Sequence, residues 1–119
     1  MKYKIIITAG GTSERIDNVR KITNSSSGKL GCTIANKLIE LHEEKIAKIY
    51  YVCSKNSIKP NHEKIEIVEI FGTQDLETSV RNLLTNNDIN YFIHSMAVSD
   101  YTVDYVYDFF FAILGVVLV

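Results

Sequence analysis

Apolar residues follow two different periods along this chain, and each change of period marks an element. Lys4 to Ala9 (KIIITA) is a β-branched run that stops at Gly10-Gly11, which reads as a buried strand of a parallel sheet. From Leu30 onward, Leu30, Ile34, Leu38 and Leu41 recur at helical spacing and predict an amphipathic helix from Lys29 to His42. Lys48 to Cys53 (KIYYVC) is a second strand. Lys64 to Ile70 (KIEIVEI) alternates apolar with charged residues, the pattern of a half-exposed or edge strand. Thr73 is placed to cap a helix beginning at Gln74, with Asp75 and Glu77 in its first turn. Leu76, Val80, Leu83 and Leu84 would form its buried stripe. Tyr91 to Ile93 is a further strand, leading into HSMAVSDY. The order β-α-β-β-α-β predicts an α/β Rossmann-like domain with a mainly parallel sheet and flanking helices.

Two segments depart from this pattern. The connection from Gly10 to Lys29 has no period of its own, and unstructured loops beyond about 12–15 residues in compact domains are usually functional or disordered. The other is the end of the chain, DYVYDFFFAILGVVLV. Its apolar run, Phe109 to Val119, is shorter than the roughly 20 residues that a membrane-spanning helix needs.

Composition narrows the classes. A length of 119 residues suits one modest domain. A net charge of −1 provides no global field for nucleic acid or an anionic membrane. Cys32 and Cys53 form no CxxC pair, which suits a reduced, cytoplasmic setting. His42, His62 and His94 make no ligand-spaced cluster, so no protein-held metal is expected. The start, MKYKIIITAGG, lacks the apolar region of a signal peptide.

The richest candidate chemistry is Ile22 to Gly31, ITNSSSGKLG. Ligands of open α/β sheets bind beyond the carboxyl ends of the strands. Both the Gly10-Gly11 turn and the start of the first helix lie at that edge. Unpaired helix N–H groups and the dipole favour phosphate there. Gly28 and Gly31 let a ligand approach the backbone, Ser25 to Ser27 offer hydroxyls, and Arg20, Lys21 and Lys29 add charge. A serine-rich helix cap in a solvated loop is the plainer reading of the same residues. A Walker A loop is excluded because Thr23 stands where its first glycine would be and Leu30 follows Gly28-Lys29. A dinucleotide fingerprint fits poorly: GGTSER is not GxGxxG, and the second strand ends Cys53-Ser54-Lys55 without a ribose-binding acid.

TAGGTSERIDNVRKITNSSSGKLG (Thr8 to Gly31), followed by HSMAVSDY (His94 to Tyr101), resembles the phosphopantothenate–cysteine ligase family, in its stand-alone bacterial form. The resemblance covers residues 1–102 and implies the N-terminal part of a ligase domain of coenzyme A biosynthesis. The family joins 4'-phosphopantothenate to cysteine through an acyl-cytidylate, using CTP with Mg2+. By resemblance, Asn24 lies beside the activated carboxyl as the catalytic residue, a donor of a kind typically worth about 2.7–4 kcal/mol of barrier. Gly10, Ser26, Gly28 and Gly31 match nucleotide-binding positions. Arg20 matches an arginine that reaches the substrate of the neighbouring subunit, implying a homodimer. Met96, Ala97 and Asp100 match positions lining the substrate, with Met96 standing where many members have alanine.

After Tyr101 the resemblance stops. The family's lysine-rich lid and second half have no counterpart in residues 103–119, which read as a truncated or frame-shifted end and leave the domain incomplete. A hydrophobic anchor or a final core strand are the alternatives for this tail. Two other functions compete with the ligase: a non-catalytic nucleotide-binding or dimerisation remnant, and a nicotinamide-binding Rossmann oxidoreductase.

Overall fold

The computed structural model describes residues 2–99, 101–103 and 116–118. Four parallel strands form the main sheet, in the order β5-β4-β1-β6. Strand β1 (Tyr3–Ala9) lies at the centre between β4 (Ile46–Ser54) and β6 (Tyr91–His94), and β5 (Ile65–Ile70) lies outside β4. Ile7 sits opposite Tyr51 on one side and Ile93 on the other. Ranked by chain position, these strands run third, second, first, fourth, which is half of a doubly wound Rossmann sheet.

Alternation along the central strands divides the core between two faces. Ile5, Ile7 and Ala9 join Ile49, Tyr51 and Cys53 beneath α1 (Lys29–His42). Ile6 joins Tyr50, Val52, Ile70 and Met96 on the face of α2 (Thr73–Asn86). Ile6, Ile7 and Ile49 are wholly inaccessible to solvent, and each such side chain contributes about 1.5–3 kcal/mol by leaving water.

Helix α1 has the expected bounds, and Ile34 and Leu38 of the expected stripe pack against the core, but Leu30 and Leu41 at its two ends do not. Leu30 and Leu41 are 63% and 62% exposed, whereas Gly31, Cys32 and Ala35 face the sheet. The cause is close approach: a Cβ on Gly31 would lie 2.4 Å from that of Ala9. In α2, Leu76 and Leu83 pack against the core while Leu84 stays 51% exposed. Thr73 does not cap this helix, whose N-cap is Gly72. The distant Glu14 carboxylate instead accepts from the Thr73 N–H and hydroxyl, both at 2.8 Å.

The aperiodic connection after β1 contains a small antiparallel hairpin, β2 (Ser13–Arg15) with β3 (Lys21–Thr23). Its turn is organised by Asp17, whose carboxylate accepts from the backbone N–H of Val19 and of Arg20. Within the tail, β8 (Val116–Leu118) pairs antiparallel with β7 (Tyr101–Val103). Asp100 and the rest of the apolar run lie outside the described residues. Among the described residues no helix is long and apolar enough to cross a membrane.

Candidate functional site

The site begins where β1 ends. Gly10 turns the chain with φ +87°, a left-handed conformation that glycine adopts without a Cβ clash. Its carbonyl accepts from Ala97 N–H at 2.8 Å, and Thr12 N–H donates to the Ala97 carbonyl at 3.0 Å. Backbone therefore spans the gap between β1 and β6, where the strand order reverses. Thr8 is buried beneath this junction, its Oγ1 accepting from Ser95 N–H at 3.2 Å and lying 2.6 Å from His94 Nδ1. The side chain of Met96 points away into the α2-side core, so Met96 presents only backbone to a ligand.

Asn24 follows β3 and packs against Gly11, where a Cβ would fall 2.7 Å from both the Asn24 Cβ and its carbonyl oxygen. Its backbone N–H donates to the Thr12 carbonyl at 3.1 Å. Its side-chain amide reaches Ser99 Oγ at 3.2 Å and Thr12 Oγ1 at 3.5 Å, both longer than a typical N–H···O bond. Ser99 N–H in turn donates to Thr12 Oγ1 at 2.8 Å. Thr12, Asn24 and Ser99 thus form one polar cluster at the end of the sheet.

The loop into α1 is held from beneath. Gly28 is the N-cap of α1 with φ +83°. The hydroxyl of Tyr51 lies 3.3 Å from the Gly28 carbonyl and 2.9 Å from that of Ile58, and Ile58 N–H donates to the Ser27 carbonyl at 2.9 Å. Burial pushes the Tyr51 phenol well above its ordinary range, so it remains a donor. Ser54 and Ser57 hydrogen-bond to each other beside Gly10. A Cβ on Gly10 would lie 2.0 Å from Ser57 Oγ, and one on Gly28 would lie 3.1 Å from Ser57 Cβ. The motif reading left Tyr51, Ser54 and Ser57 unassigned. The polar Ser54–Ser57 stretch directly after a buried strand was their only signal.

These elements enclose a cleft of about 320 Å³ over the carboxyl ends of β1, β4 and β5. Asn24 and Ser25 to Ser27 form one wall, Ser54 to Asn56 another, and Ile70 with Phe71 an apolar end. Lys21 and Lys55 also line it, and among the described residues no carboxylate does. Among the described residues neither lysine is paired with a carboxylate. Phe71 is flanked by cations, with Arg15 Cζ at 5.1 Å and Lys21 Nζ at 5.6 Å from its ring centroid. In a chain of nearly balanced charge, such a lining selects for an anion.

Of the anticipated positions, Asn24 and Ser26 line this cleft directly. Gly10 and Gly28 adjoin the lining residues Gly11 and Ser27 without lining the cleft themselves, and an ideal Gly28 Cβ would lie 3.4 Å from Gly10 N. Gly31 is buried in the α1–sheet contact. Ala97 is in the β1–β6 bridge. Arg20 stands apart at the exposed hairpin turn, its guanidinium on the Asp17 carboxylate at 2.7 and 2.9 Å. Backbone and side-chain hydrogen bonds from Arg20, with one from Val19 N–H, hold the Asp17 carboxyl down at about 2. A larger groove of about 530 Å³ between α2 and β6 is lined chiefly by Leu76, Val80, Leu84 and Phe92, and it lacks the hydroxyl cluster.

Residues 1–108 match the family described as DNA/pantothenate metabolism flavoprotein C-terminal domain. The chain is 36% identical over 97 residues to the coenzyme A biosynthesis bifunctional protein CoaBC of Vibrio vulnificus, covering 82% of this chain and 22% of that protein. It thus spans about a quarter or less of the curated relatives it matches. Among solved structures, the DNA/pantothenate metabolism flavoprotein of Streptococcus pneumoniae superposes with a TM-score of 0.77 at 41% identity, covering 86% of this chain and 42% of that one. The C-terminal domain of a CoaBC protein gives a TM-score of 0.73 at 34% identity, covering 87% and 49%.

Proposed function

Because the chain belongs to the DNA/pantothenate metabolism flavoprotein C-terminal domain family, we propose that it supplies the nucleotide- and substrate-binding first half of a phosphopantothenate–cysteine ligase of coenzyme A biosynthesis. The observation that carries this reading is the cleft itself, in which Asn24, three serines and the cations Lys21 and Lys55 converge on one space. Its substrates are 4'-phosphopantothenate, cysteine and CTP. The pantothenate carboxylate attacks the α-phosphorus and pyrophosphate departs. The cysteine amine then adds to the acyl carbon, loses its proton and expels cytidine monophosphate.

Each residue has a distinct task. Lys21 and Lys55 offset phosphate charge, while Ser26 and the N–H groups at the start of α1 bind phosphate oxygens. Gly10 and Gly28 keep the floor thin enough for that approach. Asn24 exchanges its long contacts to Thr12 and Ser99 for a donor bond to the oxygen that gains charge at the acyl centre. Met96 contributes backbone beside the substrate. The described lining offers hydroxyl and amide groups, and Mg2+ would arrive with the nucleotide phosphates whose charge it offsets. Arg20 lies outside the cleft lining and is exposed, which suits a reach into the site of a second subunit in a homodimer.

A nucleotide-binding part without turnover of its own is the second reading, which the lining of the cleft supports equally. Asn24→Ala in a full-length relative tests the first. Conversion of the acyl-cytidylate and cysteine to product, the step in which the acyl oxygen gains charge, should fall by about 10²–10³-fold. Near-normal single-turnover conversion of the acyl-cytidylate to product would contradict the assigned role.

A further inference from the structure

The geometry points to Glu14 as a positioning residue that latches the β2–β3 hairpin onto the N-terminus of α2 and so sets the cleft wall carrying Thr23 to Ser27. One carboxylate oxygen, Oε1, accepts from both the N–H and the hydroxyl of Thr73, a residue 59 positions away. The approach is close enough that a side chain at Gly72 would press on it. A Cβ on Gly72 would lie 3.0 Å from the Ser13 carbonyl and 3.2 Å from a Glu14 carboxylate oxygen. A negative charge at this helix N-terminus also meets the positive end of the dipole.

The latch matters because the hairpin is too small to hold itself in place. Its strands have three residues each, and an isolated two-stranded ribbon is marginal in water. Its remaining ties to the sheet edge are Ser13 N–H to the Phe71 carbonyl at 2.8 Å and the Arg15 and Lys21 contacts with the Phe71 ring. Glu14 pairs with Ile22, and Ser13 with Thr23, so fixing Glu14 fixes the residue from which Asn24 leaves the hairpin. Glu14 itself does not line the cleft and acts through this register.

The inference rests on the ligase reading only for its choice of ligand, Mg·CTP. The test compares Glu14→Ala with Glu14→Gln, which keeps an acceptor oxygen, by amide hydrogen exchange, amide chemical shifts and Mg·CTP titration. In Glu14→Ala the Thr73 amide should lose protection about tenfold or more, the Thr23–Ser27 resonances should move, and the CTP dissociation constant should rise about tenfold. Glu14→Gln should restore all three to within about threefold. If Glu14→Ala does not fold, Thr73→Val, which removes only the hydroxyl donor, should move the same resonances in the same direction. Unmoved Thr23–Ser27 resonances in a folded variant that has lost Thr73 protection would overturn the positioning role. Unchanged Thr73 protection would overturn the latch itself. A wild-type chain that does not bind Mg·CTP would count against the ligase reading alone, with the exchange and shift data still judging the latch.

Discussion

The hydroxyl of Tyr51, on the second strand of the sheet, lies 3.3 Å from the carbonyl of Gly28, the residue on which the first helix begins. The same hydroxyl reaches the Ile58 carbonyl at 2.9 Å, so one buried phenol joins the loop before the helix to the loop after the strand. Tyr51→Phe keeps the ring and removes only this junction, leaving the Ile58 carbonyl without its hydroxyl donor while the Gly28 carbonyl keeps the Cys32 N–H. Unfolding in urea should show a loss of about 1–3 kcal/mol. CTP affinity should weaken with it, because the loop of Ser25 to Gly28 loses its support. An unchanged urea midpoint with unchanged affinity would mean that the phenol is only packing.

Gly10 presents a sharper steric case. At φ +87° an alanine is strained by about 1–2 kcal/mol, and its Cβ would also fall 2.0 Å from Ser57 Oγ. Gly10→Ala should therefore destabilise the protein and abolish measurable nucleotide binding. Adding Ser57→Gly should relieve that collision but neither the backbone part nor the 2.6 Å approach to Ser54 Oγ, which thermal denaturation of the double variant would report as partial rescue. Full rescue would show that the left-handed turn carries no strain.

The hairpin turn makes a prediction about pH. Asp17 is held down at about 2 by its bonds from Arg20 and Val19, so its contribution is fully present above the ordinary carboxylate range. That contribution falls away as pH drops from about 4 toward 2. Carbon-detected NMR titration of the Asp17 carboxyl should give a midpoint near the lower value, and Arg20→Ala should raise it. A midpoint near the ordinary aspartate value of 3.8 would show that the Asp17–Arg20 turn is not formed in solution.

How much of this was legible in the residues depended on the range of the interaction. The strands and the bounds of α1 follow from local period, and the run from KIIITA to Gly10-Gly11 placed the turn correctly. Ile34 and Leu38 of α1 followed too, but the contact made by Gly31, Cys32 and Ala35 did not, because these residues carry little hydrophobic signal yet allow the closest approach to the sheet. The hairpin was hidden because its strands, SER and KIT, are short and polar and are defined by the Asp17 turn. Thr73 carried the sequence signal of a cap, and only the folded chain brings Glu14 to it. In the site, the motif pointed to Asn24 and Ser26. The opposite wall, Ser54 to Asn56 with Ile70 and Phe71, comes from separate strands and leaves no local pattern.

The central claim is that the cleft between Ser25–Ser27 and Ser54–Asn56 is an anion site for a nucleotide. Calorimetric titration of the chain with Mg·CTP, beside a Lys21→Ala/Lys55→Ala variant and across a salt series, tests it most directly. The wild-type chain should bind saturably, more weakly as salt rises, and the variant should lose affinity at least about tenfold, since each lysine offers a charged bond worth about 1.5–3 kcal/mol. Binding that is absent, or that is indifferent to both lysines and to salt, would contradict the account.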